Sequence, residues 1–172
     1  GELKWSIDLP LFLVGNSGDR ISIANGLNGD IYVAGQTGIQ FYDHESVPLY
    51  DHTHQSEMDL FIVKLDNNGE RVWSDRIGSG GADWFDSIVV DDGGDVYLSG
   101  TTRRDTEDYK IDKLLTRYSA SGNLEKQSIN PYVHYKITGF DSDGNLAAIT
   151  QDTVKLIDSE SLQEINELDA LG

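Results

Sequence analysis

The sequence has no cysteine, three prolines, one methionine and only 13 basic residues among 172. Without cysteine there is no disulfide framework, thiol nucleophile or thiolate zinc site, although that lack does not decide the compartment. Thirteen bases against 30 acids give a formal charge of −17. A field of that sign repels phosphates, so neither nucleic acid nor an anionic membrane surface is expected as a partner. No apolar run reaches the length of a membrane-spanning helix, and membrane insertion by a helix is not expected. The opening GELKWSIDL has neither the basic start nor the apolar core of a signal peptide. Helical periodicity is also scarce: only SLQEINELDAL near the end shows apolar spacing that would suit a helix.

What the sequence does have is short apolar strands punctuated by Gly, Asn and Asp. The stretch from Met58 to Thr102 shows the unit most fully. Leu60 to Leu65 reads as a strand, DNNG as a turn, Arg71 to Ile77 as a strand around Trp73, then Phe85 to Val90 and Asp95 to Ser99 as a hairpin across DDGG. Much of this recurs. RISIANGLNGDIYVAGQT matches FDSIVVDDGGDVYLSGTT with Gly29, Asp30, Tyr32, Gly35 and Thr37 falling on Gly94, Asp95, Tyr97, Gly100 and Thr102, a constant offset of 65. GELKWSIDL matches GERVWSDRI, placing Trp5 on Trp73, so the chain opens on an outer strand and a preceding unit is expected.

In the second copy Arg117, Ser119 and Gly122 stand for Lys64, Asp66 and Gly69, and Lys126 replaces Trp73. The third copy is more eroded: YKITGFDSDGNLAAIT is its hairpin, DTVKLIDSES its third strand and turn, and LQEINELD its fourth strand, a reading the repeat favours over a helix. Lys64, Arg117 and Lys155 are expected at similar places on the third strands, with packed stems and charged ends near acids. The first copy alone carries a long insertion from Gly38 to Glu57.

Repeated four-stranded units of this period predict an all-β, β-propeller-like fold of about three four-stranded antiparallel blades. The units run approximately over residues 1–68, 69–121 and 122–161, with a final outer strand at 162–172. The residues DLFIVKLDNNGERVWS, a Gly-rich loop and IVVDDGGDVYLSGTT resemble the bacterial SBBP repeat, a β-propeller repeat of secreted and surface proteins. The resemblance is strongest at residues 58–102. It implies that the Ile21 to Ala24 and Asp86 to Val90 strands are innermost, that the Trp73 strand is outermost, and that the localisation is extracellular or at the bacterial cell surface. It implies no catalytic residues. Closed propellers use about four to eight blades, so three require further blades or another chain to complete the ring.

Three sets of residues stand out as candidate sites. Asp83, Trp84 and Asp86 lie where an innermost strand begins, a place at which propellers hold ligands, and a protein or carbohydrate ligand is the expected partner. Asp141, Asp143 and Asn145 alternate oxygens in a Gly-containing turn that could wrap Ca2+, but no acid closes the shell at the far end, and as turn residues they need no metal. His52 and His54 in DHTH have the spacing of a shared metal site, and equally of a solvated loop. No cofactor is required by this reading. The function expected is a non-catalytic binding or scaffolding module, and the alternative is a lyase or hydrolase acting on a carbohydrate-like ligand at the propeller axis.

Overall fold

The computed structural model describes residues 6, 20–37, 58–77, 82–103, 111–131, 135–150 and 153–165. They form three antiparallel sheets in which every strand pairs with its neighbour in sequence. The first sheet holds β1 (Ile21–Asn25), β2 (Ile31–Thr37), β3 (Asp59–Leu65) and β4 (Arg71–Ile77). The second holds β5 (Asp83–Val90), β6 (Val96–Arg103), β7 (Ile111–Tyr118) and β8 (Leu124–Pro131). The third holds β9 (Lys136–Phe140), β10 (Leu146–Ile149) and β11 (Val154–Ile157). There is no α-helix among the described residues, and one 3-10 turn, Leu27–Gly29, tops the first hairpin. The all-β reading holds. The sequence-based unit boundaries at 68/69 and 121/122 fall inside the first and second sheets, at the turns joining β3 to β4 and β7 to β8.

The third sheet differs from expectation. Instead of a fourth strand over LQEINELD, the described part of that stretch makes a single antiparallel bridge, Ile157 to Glu164. The reason lies at Leu162, which has φ 56 and whose N–H donates to the Asp158 carbonyl at 2.9 Å. A branched side chain in left-handed backbone interrupts an extended run. What holds it there is burial: Leu162 is fully buried with Ile157, Leu146 and Tyr135. Residues 166–172 lie outside the described set.

Alternation of side chains explains why the sheets stack. On β2 and β3, Tyr32, Ala34, Leu60 and Ile62 share one face and meet Phe85, Ile88, Val96, Leu98, Leu114 and Tyr118 of the second sheet in one core. The opposite face of the second sheet supplies Tyr97 and Leu115 to a second core with Ile137, Leu146, Ala148 and Ile157. Period-two patterning thus makes the middle sheet apolar on both sides. The first strand of each later sheet packs on the sheet before it: β5 against β1, β2 and β3, and β9 against β5 and β6.

The two outer faces are unlike. On the far side of the first sheet Val33, Phe61, Val63 and Leu65 are buried. On the far side of the third, Ile149 and Val154 are 49% and 69% exposed.

Polar latches bridge the first joint. Lys64 Nζ and Trp73 Nε1 both donate to the Ala120 carbonyl, at 3.1 and 3.2 Å, and the Tyr32 hydroxyl donates to the Gly94 carbonyl at 3.2 Å. Trp73 also stacks on Tyr118, with centroids 5.8 Å apart. Gly122 lets the tryptophan approach: its φ is +93, and a Cβ there would lie 2.8 Å from the Trp73 ring. Lys64 pairs with Asp30 at 2.9 Å, and Arg117 with Asp95 at 2.8 Å, so the repeated third-strand cation meets the repeated acid that precedes the second strand. Arg117 then reaches the third sheet at Glu160, 3.1 Å away.

Lys155 does not extend this series, contrary to the sequence reading. Tyr32 lies opposite Lys64 and Tyr97 opposite Arg117, but the equivalent pair in the third sheet is Ala147 and Leu156. Lys155 is one residue out of register, opposite Ala148, and bonds Glu164 at 2.7 Å.

One core position carries a testable flaw. Thr116 is fully buried, and its hydroxyl has no hydrogen-bond partner among the described residues. The corresponding position in the first sheet is Val63. Thr116→Val keeps the shape and removes the buried hydroxyl, so it should stabilise the chain by about 1 kcal/mol in urea denaturation.

Candidate functional site at the start of the inner strands

The three candidate residues at the start of β5 separate into different environments. Trp84 is not in a loop before the strand but within it, opposite Thr101. It is half-buried. The strand begins two residues earlier than the apolar run suggests because Asp83 and Trp84 already pair with Thr102 and Thr101.

Asp83 is fully buried, which removes it from any surface site. Its N–H donates to the Met58 carbonyl at 2.6 Å, tying β5 to the residue before β3. Its side chain hydrogen-bonds Asp59, whose carboxylate also pairs with the buried Arg76. Burial, with the neighbouring Asp83 charge adding to it and Arg76 opposing it, pushes the Asp59 carboxyl up to about 6. Gln36 completes this joint, its Oε1 accepting from the Phe85 N–H at 2.7 Å.

Asp86 is the extra residue of a β-bulge, since the β5–β6 register shifts between Phe85 and Ser87. A bulge releases a side chain from strict alternation and turns it in a new direction. Here it joins two cations: Asp86 Oδ2 lies 2.7 Å from Lys113 Nζ, and Oδ1 lies 3.0 Å from Arg20 Nη1. Lys113 is buried in full and sits over the Tyr135 ring, 4.9 Å from its centroid. Burial lowers its affinity for a proton, and Asp86 opposes that shift. Arg20 is the open end of this chain of charges, with a side chain 64% exposed. Sequence reasoning missed both cations: Arg20 precedes the first recognisable strand and Lys113 sits in the second unit's connecting stretch. An isolated lysine between apolar strand positions, IDKLL, was the available signal.

The acidic turns serve the backbone. Asp66, Asp91 and Asp141 each accept at Oδ1 from the N–H groups two and four residues on, at 2.8 to 2.9 Å. A glycine with φ near +85 follows three residues after each, which is why these positions are Gly. Asp141 Oδ2 also accepts from Asn145 Nδ2 at 3.1 Å, so both its oxygens are engaged within the turn. These bonds from Asn145 and from the Asp143 and Gly144 backbone hold its carboxyl below the usual range. Among the described residues no group of three His, Asp or Glu side chains is placed to hold a metal. His52 and His54 lie outside the described residues.

No protein-family model and no curated protein matches this sequence. Among solved structures, a protein of unknown function from Bacteroides caccae is similar at a TM-score of 0.51 and 11% identity, over 88% of this chain and 46% of that one. The likeness is one of fold, and the chain spans less than half of that protein's length.

Proposed function

We propose that this chain is a non-catalytic binding or scaffolding module built of β-propeller blades like the SBBP repeat, from a bacterial exported or cell-surface protein. The observation that carries the reading is the repeated joint. The third-strand cation of one sheet, Lys64 or Arg117, is braced by its own Asp30 or Asp95 and reaches the third turn of the next sheet. These partly buried polar side chains spend their hydrogen bonds on holding sheets together, which is structural work.

A further four-stranded sheet is the natural cover for the exposed Ile149 and Val154 on the third sheet. Three strands of four or five residues present only about 210 Å² of face, from about 4.8 Å strand spacing and 3.3 Å rise. At about 25 cal/mol per Å² such a face contributes about 5 kcal/mol, no more than association of separate molecules costs. A covalently linked blade avoids that cost, and a second chain would need additional contacts.

Blades fan out from an axis, whereas sheets of a flat stack stay equally spaced. Because the chain has no cysteine, spin labels can be placed singly and cleanly. Labels at Asn25 and Thr138 on the first strands should report a shorter distance by pulsed electron resonance than labels at Val72 on β4 and Val154 on β11, the last described strand of each sheet. Equal distances would rule out the propeller.

A further inference from the structure

We propose that Asn28 is a site of spontaneous covalent modification, at which the side-chain amide is lost to the Gly29 nitrogen and the turn is rebuilt as isoaspartate. The proposal goes beyond the reading of the chain as a binding module and does not depend on it. Such a reaction needs a glycine after Asn or Asp, because no side chain then hinders the attacking nitrogen. The sequence offers that pair at Asn25, Asn28, Asn68, Asp92 and Asp143, and the fold decides among them.

The others are held. The Gly26 N–H donates to the Asp30 carbonyl at 2.8 Å, and Asn25 pairs with Ile31 inside the first sheet. The Gly69 N–H donates to the Asp66 carbonyl at 3.0 Å, while the Asp66 carboxylate accepts from Asn68 N–H at 2.8 Å and Asn68 Nδ2 at 3.3 Å. The Gly93 N–H donates to Asp91 Oδ1 at 2.8 Å, and the Gly144 N–H to the Asp141 carbonyl at 3.3 Å. Asn28 is exposed, and its φ of 57 and ψ of 20 place it in left-handed backbone. Its side chain makes no hydrogen bond among the described residues. The Gly29 N–H keeps only the loose 3-10 contact back toward Gly26. The cause is Gly26 itself. It stands where the other turns have Asp66, Asp91 and Asp141, whose Oδ1 atoms clamp the N–H groups two and four residues on. An aspartate does not fit there, since a Cβ would lie 2.6 Å from Cε2 of the Tyr32 ring, which reaches across to the Gly94 carbonyl. The bond that fastens the first joint thus leaves this turn unclamped.

The step balances without oxidant or cofactor. The Gly29 nitrogen bonds to Asn28 Cγ, the Cγ–Nδ2 bond breaks, and ammonia leaves with the proton that the glycine nitrogen gives up. Water then opens the cyclic imide, giving aspartate when it adds at the side-chain carbonyl and isoaspartate when it adds at the main-chain one. Attack turns the Asn28–Gly29 peptide away from its present ψ, which opens the bond from Asp30 N–H to the Leu27 carbonyl. Isoaspartate adds a methylene to the main chain and a carboxylate between Leu27, which lies against Gly94, and Asp30, which pairs with Lys64. The modified turn therefore loosens the first joint.

The test ages the folded 172-residue chain at mildly alkaline pH and follows amide-to-acid conversion at Asn25, Asn28 and Asn68 by peptide mass spectrometry, with electron-transfer fragmentation to tell isoaspartate from aspartate. Asn28 should convert at least about tenfold faster than the other two, the factor set by about one well-made hydrogen bond that must first open at those sites, and isoaspartate should be among its products. In urea all of them should convert at similar rates. Asp66→Ala unclamps the DNNG turn and should speed Asn68 about threefold or more, while Asn25 keeps its rate and so reports any general loosening. Asn28→Gly, which copies Gly93 at the equivalent place, should hold its urea midpoint on ageing while that of the parent falls. No conversion at Asn28, equal rates in the folded chain or a faster Asn68 overturns the proposal. An unchanged Asn68 in Asp66→Ala overturns the clamp as the cause, and an unchanged midpoint in a parent converted at Asn28 overturns the effect on the joint.

Discussion

Asp86→Ala should destabilise the chain by about 3–5 kcal/mol at neutral pH, while Lys113→Met should change its stability by about 1 kcal/mol or less. The two residues make one ion pair, so the asymmetry needs a reason. It lies in what each substitution leaves behind. Lys113 has a side chain with no exposure at all and pairs with Asp86, so removing the carboxylate strands an ammonium in a core beside Tyr135. Removing the lysine instead leaves Asp86 with 20% of its side chain in solvent and Arg20 still 3.0 Å away. Methionine is of similar length and packs against the aromatic ring without a charge. The pH dependence has a definite sign. Burial already lowers the proton affinity of Lys113, and loss of Asp86 lowers it further. The Asp86→Ala chain therefore binds fewer protons folded than unfolded at alkaline pH and should regain stability as pH rises toward the lysine's ordinary range. Urea denaturation of both variants at neutral and alkaline pH measures this. Equal losses in the two variants would show that the pair matters through packing rather than charge.

The sheets were legible because strands and turns leave local marks. Short apolar runs such as DLFIVKL, and Asp-X-X-Gly at Asp66, Asp91 and Asp141, state the hairpins in runs of four to eight residues. The β4 bounds, Arg71–Ile77, follow from that pattern alone. Register was not legible where it depended on a bulge. Nothing local to DWFDSIVV says that Asp86 is the extra residue, and without that the partners of Asp86 cannot be found by counting. Lys155 fails for the same reason in reverse: a basic residue on a third strand looked equivalent to Lys64 and Arg117, but the short β11 places Leu156 at that position. At the start of β5 the sequence names residues but not their partners. Trp84 and Asp86 could be picked out from the repeat, whereas Asp83 looks the same in sequence and is buried against Asp59, and Arg20 and Lys113 come to Asp86 from 66 residues before and 27 after.

Asp59 should make the chain less stable as pH rises from about 4 to about 6. Its carboxyl is pushed up to about 6 from an ordinary 3.8, chiefly by burial, so the folded chain holds a proton over a range in which the unfolded chain has released it. Stability falls wherever the folded state binds more protons. At about 1.4 kcal/mol per pH unit, a shift of that size corresponds to about 3 kcal/mol lost between pH 4 and pH 7. Two groups among the described residues face Asp59 and act against each other: Arg76 on β4 lowers its carboxyl, and the buried Asp83 on β5 raises it. Three acids in the described turns act in the opposite sense. Asp66, Asp141 and Asp158 are held below the usual range by hydrogen bonds in their turns, so their contributions are lost only as pH falls below about 4, with the opposite sign. Asp59→Asn keeps the shape and removes the titration, so the loss between pH 4 and 7 should vanish in that variant whatever its absolute stability. Asp83→Asn removes the like charge but not the burial, so the loss should shrink without disappearing. Chemical denaturation of the three chains at pH 4, 5, 6 and 7 gives the slopes. A parent chain whose stability rises steadily over this range, in parallel with Asp59→Asn, would mean that Asp59 is ionised in the fold and that Arg76 alone governs it.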